Sequence, residues 1–256
     1  MLHHKPALLG RARLRRGGGQ IGVEEDVGEC IEKLVTVFRE VRRVLRADGT
    51  LWLNIGDTYT SGNRETRAPD KKNPAREMLR RPPTPQGLKP KELVGLPWRL
   101  ALALQADGWY LRCDIIWEKP NCRPESVRDR PTRAHEYIFL LAKSKDYYYN
   151  GEAVKEPAAA TASSAGFRNR RSVWKINTRP FADAHFATFP EELVRLCLRA
   201  GSKVGSHVLD PFCGSGTVGK VCVDERRGFV GIEIKAEYVE MSRRRIFGDS
   251  WGAAEP

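Results

Sequence analysis

The chain has six cysteines, Cys30, Cys113, Cys122, Cys197, Cys213 and Cys222, and no two of them form a Cys-x-x-Cys pair. The usual zinc-ligand spacing and a disulfide framework are therefore both missing. No metal is expected, and the protein reads as reduced and cytoplasmic. No apolar run approaches the roughly 20 residues that a membrane helix needs, so no membrane partner is expected. The opening Met1-Leu-His-His-Lys-Pro lacks the apolar stretch of a signal peptide. No segment repeats internally. Acidic residues are also scarce, with 32 Asp and Glu against 44 Lys and Arg, for a formal charge of +12. That balance favours a polyanionic partner such as nucleic acid, although basic soluble proteins without one are common. What is present is ample for a core: 256 residues, 41% hydrophobic and 30% charged, suit one large α/β domain or two small ones.

Residues 1–22 show no apolar period of 3.6 or 2, and Arg11, Arg13, Arg15 and Arg16 lead into Gly17-Gly18-Gly19. Order is expected from Val27, whose helical repeat through Ile31, Leu34, Phe38, Val41 and Leu45 stops at Asp48-Gly49. A buried strand over Thr50–Ile55 follows. Residues 60–90 form a long basic insertion broken by prolines. Further on, the pattern predicts a helix over 93–105, strands over 110–117 and 137–142, and a third strand or hairpin return at Tyr147-Tyr148-Tyr149. Residues 157–172 read as a mobile linker. A helix over 191–200 precedes the clearest organisation in the chain. There a strand at 207–210, a helix at 216–223, a strand at 228–233 and a helix at 236–246 alternate in α/β grammar.

The sharpest motif is Val208-Leu209-Asp210-Pro211-Phe212-Cys213-Gly214-Ser215-Gly216-Thr217, between a strand and a helix. Two glycines let the backbone turn tightly and approach a ligand, and the helix that follows offers free N–H groups. About 20 residues on, Gly231-Ile232-Glu233 ends the next strand with a carboxylate placed to accept hydrogen bonds from both hydroxyls of a ribose. An ordinary glycine-rich turn would need none of this context. The spacing is not G-x-G-x-x-G, which disfavours a dinucleotide oxidoreductase.

These residues resemble those of the AdoMet-dependent DNA amino-methyltransferases that modify cytosine N4 or adenine N6. Within that family they resemble the permuted (beta-type) subgroup, whose cofactor loop lies near the C-terminus. The resemblance spans nearly all of 20–247. It extends to Leu53-Asn54-Ile55-Gly56-Asp57, Gly87-Leu88-Lys89-Pro90-Lys91, Ile116-Trp117-Glu118-Lys119-Pro120-Asn121 and Arg130-Pro131-Thr132-Arg133-Ala134-His135-Glu136. For these four stretches, cofactor edge, base pocket, DNA groove and plain packing all stay open, and for His135 packing is favoured. The resemblance implies S-adenosyl-L-methionine as cofactor. Phe212, Gly214, Gly216 and Thr217 would then line its pocket, Glu233 would hold the ribose, and Asp210 would lie by the methionine part or support the loop. Phe189 and Pro190, in the stretch His185-Phe-Ala-Thr-Phe-Pro190, would also contact the cofactor. The implied fold is α/β, a doubly wound, mostly parallel sheet of the Rossmann-like methyltransferase type. Residues 23–247 would form the catalytic domain, with DNA-contacting insertions near 60–90 and 150–180, and 248–256 a tail.

One element of the family is missing. Such enzymes carry Ser-Pro-Pro-Tyr or Asp-Pro-Pro-Tyr after a sheet strand. Its polar side chain and a proline carbonyl accept the N–H bonds of the target amino group, and its tyrosine stacks on a base flipped from the helix. No such tetrapeptide exists here. Its expected place, just before Gly19-Gln20-Ile21-Gly22, holds the aberrant basic segment 1–22. His3 to Leu14 can be encoded so that a one-base shift reads Ile-Thr-Ser-Pro-Pro-Tyr-Trp-Gly-Val-Arg-Asp-Tyr. That places the lost loop around His4, Lys5, Pro6, Ala7 and Leu8. The expectation is an out-of-frame translation, the alternative being a natural basic arm. The sheet would then lack one or two N-terminal strands and expose its edges, and this literal chain would be impaired, at the limit a non-catalytic remnant that binds AdoMet or DNA. Double-stranded DNA is the expected partner, gripped by Arg168, Arg170, Arg171, Lys175 and Arg179, with Phe167 and Trp174 interleaved. A cognate restriction endonuclease, or none, would accompany it.

Overall fold

The computed structural model describes residues 2–4 as backbone, and 21, 22, 24, 26–60, 84–158, 166–179 and 189–248 in full. The proposed lost loop at Lys5–Leu8, most of the 60–90 insertion and His185–Thr188 lie outside these described residues. The chain divides into two compact units. One comprises Met1–His3, Leu45–Asn54 and Tyr110–Pro256, the other His4–Val44 and Ile55–Trp109.

In the second unit the apolar repeat forms α1, Val27–Val44, which buries Val27, Cys30, Leu34, Phe38 and Val41 along one stripe. The helix α2, Leu96–Ala106, packs with it. It begins three residues later than the repeat suggested. Val94 N–H is bonded to Thr58 O at 2.9 Å and Gly95 takes a left-handed φ of 71°, so the chain enters the helix only at Leu96-Pro97.

The first unit holds a five-stranded sheet. Its strands are β1 (Leu2–His4), β2 (Thr50–Ile55), β3 (Tyr110–Glu118), β4 (His135–Ala142) and β7 (Val173–Lys175), in the order β1-β2-β4-β3-β7. A two-stranded pair, β5 (Glu156–Pro157) and β6 (Phe167–Arg168), stands apart. The sheet is mixed: β3 runs antiparallel to β4 and parallel to β7. Strand β2 is buried on both faces over residues 51–55, apolar but for Asn54, whose amide bonds to Glu136 and to Tyr137 O. The three-residue β1 beside it was not expected from so polar a segment.

The helix α3, Glu191–Gly201, turns Leu193, Val194, Cys197 and Leu198 into the core, with Glu191 and Glu192 at its positive end. There they meet Trp52, Trp117, Trp174 and Phe189. Tyr147-Tyr148-Tyr149 is not a strand. Tyr148 N–H bonds to Asp48 O at 2.8 Å and Asn150 N–H to Ala200 O at 2.8 Å, so the segment is pinned to the turn before β2 and to the last turn of α3 rather than to a sheet edge. At the ends of the expected linker, Glu156 and Pro157 pair with Arg168 and Phe167, while residues 159–165 lie outside the described ones.

The last alternation is close to the expected one: β8 (His207–Asp210), α4 (Thr217–Asp224), β9 (Gly228–Gly231) and α5 (Ala236–Phe247). Among the described residues β8 and β9 form a two-stranded parallel sheet of their own. One face lies on α4 through Phe229. Val230 and Ile232, which alternate with it, are 51% and 55% exposed.

Candidate functional site: the glycine turn after β8

Parallel pairing places Asp210 opposite Gly231, so the segments leaving β8 and β9 emerge side by side. The ladder continues beyond the strands, since Ile232 N–H donates to Asp210 O and Cys213 N–H to Ile232 O, each at 2.9 Å. This brings Glu233 onto the turn: Gly214 N–H donates to its Oε2 at 2.9 Å and Lys235 N–H to its Oε1 at 2.9 Å. Two further acceptor positions of that carboxylate remain beside these bonds. Gly214 and Gly216 both have positive φ, 53° and 77°. A Cβ on Gly216 would also sit 2.8 Å from the Cβ of Ser242 on α5, so glycine is required there twice over. The first turn of α4 has no side-chain cap, which leaves its N–H groups for a ligand.

Asp210 is buried, and its Oδ1 accepts the N–H of Phe212 at 3.0 Å, closing the start of the turn. Burial pushes its carboxyl up to about 6. The same burial raises the Cys213 thiol to about 11, so this cysteine is a packed hydrophobe rather than a nucleophile. The Asp210 shift has a sign that can be tested. The unfolded carboxyl releases its proton near pH 3.8, the folded one near 6. Between those values the folded chain holds a proton that the unfolded chain has lost. This contribution therefore falls as pH rises through that window, by an amount on the order of 3 kcal/mol. Urea unfolding of the wild type and of Asp210→Asn between pH 4 and 7 should diverge accordingly, the variant gaining on the wild type as pH rises. Parallel stability curves would show that Asp210 does not titrate there.

Sequence reading missed Arg245, one of three consecutive arginines on α5. Its Nη1 donates to Thr217 Oγ1 at 2.9 Å, Ser215 Oγ at 3.1 Å and Ser215 O at 3.5 Å, while Nη2 lies 3.5 Å from Glu191 Oε1. Nothing in the sequence sets it apart from Arg244, which pairs with Glu240 in solvent. Phe189 is 7% exposed and belongs to the aromatic core, and Pro190 is the residue that enters α3.

Three of the family-like stretches converge elsewhere in the same unit. Asn54 Nδ2 donates to Glu136 Oε2 at 3.3 Å and to Tyr137 O at 3.0 Å, and Lys119 Nζ pairs with Glu136 Oε1 beneath the Trp117 ring. This buried polar knot ties the ends of β2, β3 and β4 together. Removing one charge from such a pair usually costs about 3–5 kcal/mol. His135 stacks edge-on to Tyr137, and burial lowers its basicity.

The basic segment differs most from expectation. It contains no acid, yet Glu156 from across the β5–β6 pair accepts from Arg168 at 2.9 Å and Arg171 at 2.8 Å. Arg170 Nε donates to Val154 O at 2.8 Å, and Lys175 lies 3.4 Å from Glu118. Trp174 is a core residue packed on Trp52, with its indole N–H bonded to Arg171 O, and cannot reach a nucleic acid. Phe167 remains 59% exposed. Arg179 is exposed as well.

The glycine turn, its carboxylate and the α/β alternation around them define a Rossmann-like nucleoside-cofactor fold. A family model described as DNA methylase matches residues 9–244, and the chain belongs to this N6/N4 DNA methylase family of AdoMet-dependent DNA methyltransferases. It is 62% identical over 230 residues to the Type II methyltransferase M.Cfr9I of Citrobacter freundii, a match covering 90% of this chain and 75% of that one. It is 61% identical over 229 residues to M.SmaI of Serratia marcescens, covering 90% and 78%. In fold it is similar to the PvuII DNA methyltransferase (cytosine-N4-specific), with a TM-score of 0.70 at 18% identity over 98% of this chain and 79% of that one. It is also similar to a Thermus thermophilus putative DNA modification methylase complexed with S-adenosyl-L-methionine, with a TM-score of 0.58 at 22% identity over 90% and 82%. No helix among the described residues is long and apolar enough to cross a membrane.

Proposed function

We propose that this chain carries the framework of a site-specific methyltransferase acting on double-stranded DNA. Its target is an exocyclic amino group of a flipped base, cytosine N4 ahead of adenine N6, and the chain as it stands is impaired in transfer. The observation that carries the cofactor half is the 2.9 Å bond from Gly214 N–H to Glu233 beside an uncapped helix start. The residues fit AdoMet. Glu233 would hold the ribose, Phe212, Gly214, Gly216 and Thr217 would line the turn, and Asp210 would brace it. Ile234, 63% exposed next to the acid, offers an apolar surface for a flat ring. AdoMet when bound supplies an electrophilic methyl group on a sulfonium. The protein's own task is to grip that nucleoside, exclude water and hold the amino nitrogen in line with it.

The preference for cytosine is supported by the Ser-Pro-Pro-Tyr that residues 3–14 can encode in a shifted frame and by the cytosine-N4 specificity printed for the PvuII enzyme. The Type II names of the relatives suggest a restriction–modification setting, with a cognate endonuclease or without one. Incubating the chain with tritiated AdoMet and DNA of mixed sequence tests the reading. AdoMet should bind while label incorporation stays at background, which is also the behaviour of a non-catalytic remnant. Robust turnover by the 256-residue chain would overturn the impairment. N6-methyladenine in place of N4-methylcytosine from a form with the loop restored would overturn the choice of base.

DNA contact is proposed for Arg168, Arg171, Lys175 and Arg179, with Arg170 reassigned to holding the Val154 carbonyl. Arg171 is open to a phosphate, its side chain 70% exposed despite Glu156. Arg171→Ala should weaken DNA binding and reduce the slope of log K against log salt by about 0.9. Fluorescence anisotropy at several salt concentrations reads this, and an unchanged slope removes Arg171 from the interface.

A further inference from the structure

We infer that the connection between β3 and β4, residues 119–134, is a rigid loop that grips the backbone phosphates of duplex DNA, with Arg123 and Arg128 as the ligands. The inference rests on the reading of this chain as one that acts on double-stranded DNA. The connection is 16 residues long and contains neither helix nor strand. A stretch of that length inside a compact unit is usually either functional or loose. This one is fastened. Lys119 N–H donates to Ala134 O at 2.7 Å across its base, and Cys122 N–H to Lys119 O at 3.0 Å. Pro120, Pro124 and Pro131 fix φ at three positions. Asn121 ties the loop to the chain leaving β7. Its Nδ2 donates to Thr178 O at 2.9 Å, and its Oδ1 accepts the Thr178 N–H at 2.8 Å and the Thr178 hydroxyl at 3.2 Å. A side-chain amide thus continues the parallel β3–β7 pairing beyond Glu118 and Lys175, and brings the neighbourhood of Arg179 alongside the loop.

The loop's acids do not use up its cations. Glu136 takes Lys119, and Glu125 takes Arg130 at 2.6 Å. Arg123 and Arg128 are exposed and have no ion-pair partner among the described residues. A solvated surface loop needs no such fastening. A loop that must present guanidinium groups to phosphates gains from it, because little of its backbone has left to be ordered when the partner arrives. Its place in the fold agrees. Asn54 at the end of β2 meets Glu136 at the start of β4, so β2 and β3 finish at the same end. At the other end α3 stops against the start of β2, where Thr50 Oγ1 donates to Gly201 O at 3.4 Å, and β8 begins shortly after. The glycine turn that follows β8 therefore falls at the end where β2 and β3 finish, which is the end that carries the loop. A duplex held there by its phosphates is on the side to which a flipped base has to be delivered.

The test follows the binding of the full chain to several duplexes of different sequence by fluorescence anisotropy, over a range of salt concentrations. Arg123→Ala combined with Arg128→Ala should weaken binding roughly tenfold and lower the slope of log K against log salt by about 1.8. The loss should be the same for every duplex, since phosphates carry no sequence. Arg123→Lys combined with Arg128→Lys keeps both charges and should keep the slope. A control pair, Arg43→Ala with Arg46→Ala, removes the same charge from arginines already paired with Glu40 and Asp48, and should leave the slope as in the wild type. An unchanged slope in the first pair takes the loop off the DNA. An equal fall in the control makes the effect one of net charge alone, and a loss confined to one duplex makes the arginines readers of bases. Each of these results overturns the inference while leaving DNA binding by the chain intact. A wild-type chain that binds no duplex at any salt concentration would overturn the DNA reading itself, and the inference with it.

Discussion

Replacing His3–Leu14 by Ile-Thr-Ser-Pro-Pro-Tyr-Trp-Gly-Val-Arg-Asp-Tyr is expected to raise methyl transfer to DNA by about a hundred- to a thousandfold. An exocyclic amino group is a poor nucleophile because its lone pair is delocalised into the ring. Preorganised acceptors that hold its N–H bonds favour electron density at nitrogen as the methyl arrives, and a stacked tyrosine holds the base outside the duplex. The present segment offers none of these groups: its place is filled by His4-Lys5-Pro6-Ala7-Leu8 and a run of arginines. The restored form should gain in rate far more than in AdoMet affinity, because the glycine turn and Glu233 are already in position. Background turnover by the restored chain would place the defect elsewhere, and codons unable to spell Ser-Pro-Pro-Tyr in another frame would make residues 1–16 a natural basic arm.

The second large effect belongs to Glu233. Both of its oxygens accept backbone N–H groups, from Gly214 and Lys235, so the carboxylate is held at the turn before any ligand arrives. Glu233→Gln keeps the size but converts one oxygen into a donor. The Lys235 or Gly214 N–H then loses its partner, and the ribose hydroxyls face one acceptor in place of two. Charge-assisted bonds of this kind contribute about 1.5–3 kcal/mol each, so AdoMet affinity should fall by roughly 10- to 150-fold. Glu233→Asp, with the charge retained on a shorter stem, should lie between. Thermal melting without ligand separates this loss from unfolding. Unaltered affinity in Glu233→Gln would remove the acid from the ribose site.

The glycine turn was legible because its signals are local. An apolar strand, Asp-Pro, two glycines and an acid at the next strand tip follow one another closely along the chain, and β8 forms over His207–Asp210, where the pattern places it. Signals that depend on register were not legible. Lys119 and Glu136 were each part of a recognisable stretch. Only the antiparallel β3–β4 register, with Trp117 opposite Glu136, makes them a buried pair. Trp174 reads as a stacking residue in a basic run, and becomes core because β7 pairs parallel to β3 beside Trp117. Glu156 lies outside the basic segment it neutralises, and reaches it by a hairpin that composition had suggested was a free linker. Arg245 is hidden among identical neighbours, where helix phase alone decides which of three arginines meets the loop.

The most direct test of the central claim is a calorimetric titration of AdoMet and its demethylated product into the folded 256-residue chain. Saturable heat at one site per chain, reduced at least about tenfold in affinity by Glu233→Gln, is the predicted result. A sample that melts cooperatively yet gives no heat with either ligand would contradict the account.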